Sequence, residues 1–319
     1  MGHRKHSAPR RGSLAYRPRG RAKSLLPRIR TWPKVDSPKP MLLAFPAFKA
    51  GTIHVITVDD RQRTPNSGKP LFNVASVLAV PDADVKGVRL YGRENGHDVA
   101  LGEARADPQE LMKKVPQERV SRVAAFVSTV PSQIGLSQNK PIEFEVGVGG
   151  GDPKAQVEFA AGLIGKKVRF AEIFKPGMRV DVLGITKGKG FEGPVTRFGV
   201  KRKQHKSRKS VRAVGVIGPW HPAAVMYTIA RAGQKGFSQR AETGRRIITI
   251  ANAKDSPITP AGGFLHYGEV KGDYAVLRGT VPGPASRFAV VRLSVRGSPL
   301  AAAAPQVLEI STNVGRAGK

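Results

Sequence analysis

The chain has 319 residues, 40% of them hydrophobic, enough for a packed core in one large domain or two modest ones. It carries 54 Lys and Arg against 23 Asp and Glu, a formal net charge of +31, and such a charge repels itself unless a polyanion neutralises it. With no cysteine, disulfides and thiolate metal sites are excluded, and no apolar run is long enough to span a bilayer. Nucleic acid is the first candidate neutraliser and an anionic membrane surface the second. The basic N-terminus has no apolar h-region behind it, so no secretory signal is read and a cytoplasmic protein is expected.

The charge is concentrated. Residues 1–34 contain eleven Lys or Arg and no acid, and residues 193–241 contain another eleven and no acid. By contrast, residues 82–160 hold ten basic and twelve acidic residues, an ordinary soluble surface. A single short charge run is as often a solvated face as a binding site. Two long acid-free segments favour polyanion binding, because a surface selected only for solubility mixes both signs.

In chain order, the first candidate cations are Arg4, Lys5, Arg10, Arg11, Arg17, Arg19 and Arg21, punctuated by Pro9, Gly12, Pro18 and Gly20. Without a hydrophobic period, this tail over residues 1–40 should not fold alone, and is expected to be extended until RNA orders it. A strand is predicted at Thr52–Val58 from its β-branched alternation, and Leu71–Val80 and Val85–Tyr91 are the second and third strand candidates. Asp107-Pro108-Gln109-Glu110 has the form of a helix start. Strands at Val120–Val130 and Ile142–Val148 follow, then a helix from Asp152-Pro153 to a stop at Gly165. Residues 82–165 therefore read as a mixed α/β insert. Further strands are predicted at Val168–Phe174, Val180–Thr186, Arg246–Ile250, Tyr274–Leu277, Phe288–Val295 and Gln306–Ile310. Repeated short strands with Gly and Pro turns suggest a closed or nearly closed β-barrel from residues 41–81, 166–192 and 242–319.

The second interruption, residues 193–241, is the informative one. Lys187 and Lys189 lead into it; Arg197, Lys201, Arg202, Lys203, Lys206, Arg208, Lys209 and Arg212 follow; Trp220 and His221 come next; Arg231, Lys235 and Arg240 lead out. So much Gly, Pro and charge makes no core, and long loops of this kind are functional or disordered. Cations reach phosphates and an aromatic plane offers a stacking surface. Trp220 reads equally well as a packing anchor for the loop itself.

At these residues a family resemblance appears. The strings Gly184-Ile-Thr-Lys-Gly-Lys-Gly-Phe-Glu-Gly193, Gly218-Pro-Trp-His-Pro222 and Ala230-Arg-Ala-Gly-Gln-Lys-Gly236 resemble the central extension of the ribosomal protein L three family. Met1-Gly-His-Arg-Lys-His6 is similar to its archaeal and eukaryotic N-terminus, and Pro131-Ser-Gln-Ile-Gly135 with Lys140-Pro141 to its insert. The resemblance covers essentially the whole chain. It implies a mainly β protein: a translation-factor-like β-barrel with an inserted small α/β lobe, a long basic loop extension and a basic N-terminal tail. It also implies a structural, non-enzymatic role in the large ribosomal subunit and early support of its assembly. The partners would be large-subunit rRNA and neighbouring ribosomal proteins, with Trp220 near the peptidyl-transferase centre. Eukaryotic members carry a methylatable His twelve positions before this Trp; here the residue is Arg208, and the modification is not carried over.

Other chemistry is not supported. Gly184-Ile-Thr-Lys-Gly-Lys189 lacks one spacer of a P-loop and has Gly190 where Ser or Thr would hold magnesium. Gly147-Val-Gly-Gly-Gly-Asp152 ends in Asp where the dinucleotide fingerprint needs Gly. The seven His residues are scattered without metal-ligand spacing. No cofactor, metal, small-molecule substrate or membrane partner is expected. An RNA-modifying enzyme or a generic nucleic-acid-compacting protein is the alternative.

Overall fold

The computed structural model of the chain describes residues 10–14, 17–105, 115–116, 119–297 and 303–312. Two compact units result, one from Met1–Lys23 with Thr186–Gln239, the other from Ser24–Ile185 with Arg240–Lys319. The predicted helix start at Asp107 lies outside the described residues.

The larger unit is mainly β, in two sheets. One contains β2 (Ala44–Val58), β3 (Pro70–Ala79), β9 (Arg179–Ile185), β12 (Gln239–Asn252), β13 (Asp273–Arg278), β14 (Phe288–Leu293) and β15 (Val307–Ser311). β14 pairs antiparallel with both β9 and β2. Hydrogen bonding therefore runs from β2 through β3, β13, β12, β9 and β14 and returns to β2, with β15 added outside on β2. Strand β2 shows why. Ile53, Val55 and Thr57 are buried while His54 and Ile56 face outward, the period-2 pattern of a half-covered strand. Its first half, Ala44–Phe48, is buried on both faces and reads as a continuous apolar run. Sequence alternation located only the second half, because the first half does not alternate.

The other sheet has the order β1 (Met41–Leu42), β7 (Ile142–Gly149), β6 (Val120–Thr129), β4 (Ala83–Glu94) and β5 (His97–Ala104), with β8 (Lys167–Val168) also on β4. The helix Pro153–Leu163 follows β7, with Pro at its first position and Val157 and Ala160 buried. The two sheets share one core. Phe144 of β7 meets Phe288 of β14 edge-on at 5.5 Å, and Phe48 of β2 meets the same ring at 5.5 Å.

One predicted strand is corrected. Val168–Phe174 is a strand only at Lys167–Val168 and then turns into the short helix Phe170–Ile173. Phe170, Ile173 and Phe174 are all buried, and this i, i+3, i+4 spacing places them on one side of a helical turn. Residues 24–40 lie along this unit as an irregular strap, with Leu26, Ile29, Trp32 and Val35 packed on the core. A Cβ at Gly147 would sit 2.8 Å from Trp32 Cδ2, so the indole needs a glycine beneath it.

A buried ion pair ties the strap to the sheet. Arg292 Nη2 donates to Asp181 Oδ2 at 2.7 Å, with both side chains almost fully buried. Gly244 N and Val295 N also donate to the Asp181 carboxylate, at 2.9 and 3.2 Å, and Arg292 donates to the Thr31 carbonyl. Such a pair is tolerable inside because the Asp181 carboxylate accepts three hydrogen bonds and Arg292 keeps a second acceptor, although its buried Nε meets none among the described residues.

Candidate nucleic-acid interface

The smaller unit holds twenty Lys and Arg and a single acid, Glu192. It contains the antiparallel pair of β10 (Gly188–Glu192) and β11 (Gly233–Gly236), with the short helix Pro194–Phe198 following β10 in the long connection between them. Between residues 199 and 232 there is neither helix nor strand. Backbone hydrogen bonds there are few and mostly local, apart from Lys203 N to Val211 O at 3.0 Å.

Arginine side chains do the work that a hydrophobic core does elsewhere. Arg10 donates to the carbonyls of Gly12 (2.6 Å) and Thr228, and Arg17 to that of Tyr227. Arg19 donates to the Arg197 carbonyl at 3.1 Å; Arg197 donates to Gln234 O and Arg231 O, both at 3.0 Å. Lys235 reaches the Thr196 carbonyl. Three guanidinium groups surround the buried Phe198 ring, those of Arg19, Arg197 and Arg17 at 4.2, 5.1 and 5.7 Å from its centroid. Burial, and next the charge of Arg17, hold the Arg197 pKa below its ordinary value. Gly12 has φ +76° and lies so close that a Cβ would come within 2.5 Å of Phe198 Cδ1; glycine is required there on both counts.

The candidate cations thus fall into two sets. Arg10, Arg17, Arg19, Arg197 and Lys235 are engaged with the unit's own backbone. Arg11, Arg21, Lys187, Lys189, Lys201, Arg202, Lys203, Lys206, Arg208, Lys209, Arg212 and Arg231 are exposed, and Arg212 makes only a 3.4 Å contact to Thr196 Oγ1. Arg240 sits in β12, in the other unit, and Arg4 and Lys5 lie outside the described residues. Trp220 is 89% exposed, which removes the packing-anchor reading for this chain, and His221 beside it is also exposed. Other exposed aromatic or apolar side chains of this unit were not singled out from sequence, Phe191, Val216 and Tyr227 being the most exposed of them among the described residues. The available signal was their position in or beside an acid-free segment.

Cations on the sheet of β4–β7 behave differently. Arg89 donates to Glu103 at 2.6 Å and to Glu145; Arg105 pairs with Glu103 and Arg122 with Asp98. Arg122 also lies 4.1 Å from the Tyr91 ring centroid. Arg89 and then Arg105 hold Glu103 below the usual carboxylate range. These charges are satisfied at home. Among the described residues, no group of three or more His, Asp and Glu is placed to hold a metal ion. No helix of those residues is long and apolar enough to cross a membrane.

A mainly β body joined to a polycationic unit that displays an exposed tryptophan has the construction of a ribosomal protein. The family model described as Ribosomal protein L3 matches residues 1–97 and 93–315. Relatives named large ribosomal subunit protein uL3 are 40% identical in Methanococcus maripaludis, over 97% of both chains, and 40% in Methanocaldococcus jannaschii, over 95% of this chain and 96% of the relative. The relative of that name from Methanothermobacter thermautotrophicus is 37% identical over 97% and 98%. The chain belongs to the Ribosomal protein L3 family, and as a member it is a structural constituent of the ribosome and not an enzyme.

Proposed function

We propose that the chain binds large-subunit rRNA chiefly through the unit built from its N-terminal segment and the 186–239 extension. In this reading it supports early assembly of the large subunit in the cytoplasm and holds the shape of the peptidyl-transferase region. The observation that carries it is the charge balance of that unit: twenty cations against Glu192 alone, most of them exposed. Exposed Lys and Arg neutralise phosphates, and Trp220 with His221 supplies a stacking and hydrogen-bonding tip. The returning ladder through β2, β3, β13, β12, β9 and β14 supports a translation-factor-like barrel, and the separate sheet of β4–β7 with its helix supports an inserted lobe over 82–165. Neighbouring large-subunit proteins are the other expected partners.

The test compares two sets of substitutions for rRNA binding and for co-sedimentation with large subunits in high salt. Replacing Lys201, Arg202 and Lys203 by Gln should weaken binding strongly. Replacing Arg89, Arg105 and Arg122 by Gln should weaken it little, since their charges are already paired. Equal losses would refute the assignment of the RNA face, and loss of co-sedimentation by the unaltered protein would refute the ribosomal reading.

A further inference from the structure

Strands β15, β2 and β3 present an outer face unlike the rest of the molecule. Antiparallel register sets Ser311, His54 and Val74 in one row and Glu309, Ile56 and Phe72 in the next. Phe72 is 60% exposed, Val74 42% and Leu308, at the bulge in β15, 50%. The His54 and Phe72 rings lie 4.8 Å apart, so the centre of the patch is one continuous aromatic and aliphatic surface. No Lys or Arg stands at these outward positions of a chain with net charge +31, and the one charged group among them, Glu309, is exposed and has no ion-pair partner among the described residues. A phosphate-seeking surface needs cations at its centre. This one is apolar with a negative charge, which repels RNA and suits the apolar centre of a protein interface. In addition, among the described residues β15 stands last in the strand order of its sheet, the position at which strand addition extends a sheet.

We propose that this face, with the edge strand β15, docks an extended segment of a neighbouring ribosomal protein by strand addition. The segment places apolar side chains over Phe72, Val74 and Leu308 and a Lys or Arg against Glu309. The proposal rests on the reading of the chain as a large-subunit protein, which supplies the neighbour. It gives the molecule two chemically distinct surfaces: a cationic unit for RNA and a cation-free strand face for protein.

Photo-crosslinking tests it. Benzoylphenylalanine replaces Phe72 in the full chain, the variant is assembled into large subunits, and the subunits are irradiated. The expected product survives ribonuclease and is lost on protease treatment. A product with rRNA overturns the proposal, and would point instead to the exposed Arg63 and Lys69 in the turn between β2 and β3 at the end of this sheet. Irradiated subunits that contain the variant but yield no product overturn it as well. Glu309→Lys, introduced beside the crosslinker, should lower the yield about tenfold, because it sets like charges together across the contact; an unchanged yield refutes the pairing of Glu309 with a cation. If the unaltered chain fails to enter large subunits, the functional reading falls instead, independently of this patch.

Discussion

Trp220 and Asp181 mark the two extremes of what a single residue does here. Trp220 is 89% exposed, so Trp220→Ala should leave the stability of the free protein within about 0.5 kcal/mol of the parent. A base stacked on the indole is worth about 1–3 kcal/mol, a small share of what many phosphate contacts supply. The expected outcome is normal assembly with impaired peptide-bond formation or tRNA binding, measured separately on purified subunits. Normal activity would leave Trp220 without a role at the RNA. Asp181 is the reverse case. Asp181→Ala strands the buried Arg292 guanidinium and should cost about 3–5 kcal/mol in denaturant unfolding, with little direct effect on RNA contacts. At this scale the candidate site was only half legible. A charge is visible in any sequence, so the exposed lysines and arginines were found. Whether a given arginine binds RNA or builds the protein depends on partners such as Thr228 for Arg10, which are 218 positions away.

Elements were legible by more than one signal. The second half of β2 and β4 announce themselves by alternation, β3 and β6 by short apolar, β-branched runs although β6 and the end of β3 are buried on both faces, and the helix Pro153–Leu163 by its N-terminal Asp-Pro. Phe170–Phe174 misled because a short apolar run fits a strand as well as a helical turn. The β10–β11 pair gave no signal, since Gly and Lys alternate without any apolar member until Phe191. Among connections, the turn from β2 to β3 carries its own pH dependence. Asp59, with its side chain almost wholly covered, accepts from Arg61 Nε and Nη2 at 2.8 and 2.7 Å and from Thr64 Oγ1 at 3.1 Å. Arg61 holds the Asp59 pKa well below the usual carboxylate range, and Arg246 lowers that of Asp60. A depressed carboxylate stabilises the fold above its unfolded pKa, about 3.9, and that stabilisation is lost as pH falls through the folded value. Urea midpoints should therefore fall as pH drops from about 4 toward 2, roughly the span below the unfolded value. Asp59→Asn should fall less steeply than the parent, and parallel curves for the two proteins would show that the turn contributes nothing.

Seen whole, the molecule separates its charge from its core. The larger unit has 34 basic and 22 acidic residues, and the ion pairs of its β4–β7 sheet and of the Asp181–Arg292 couple satisfy many of them internally. The smaller unit has almost nothing to pair with. Affinity for an rRNA fragment should fall steeply with salt, with a log–log slope of roughly −0.7 to −0.9 for each phosphate neutralised. Neutralising Lys206, Arg208 and Lys209 should flatten that slope by about three such increments, whereas the Arg89, Arg105 and Arg122 substitutions should leave it unchanged. A slope near zero in the parent would mean that the charge is not the binding force.

The crowding of Arg17, Arg19 and Arg197 around one phenylalanine carries a further consequence. Three like charges held this close store repulsion that counterions relieve. Added salt therefore acts in opposite directions on the two steps of ribosome entry: it steadies the free extension and weakens its capture by RNA. Assembly should accordingly pass through an ionic-strength optimum, falling away on the dilute side because the extension loosens and on the concentrated side because phosphates are screened. Replacing Arg17 by Met thins the crowd around the ring and should move that optimum toward lower salt, which reconstitution yields across a salt series would reveal.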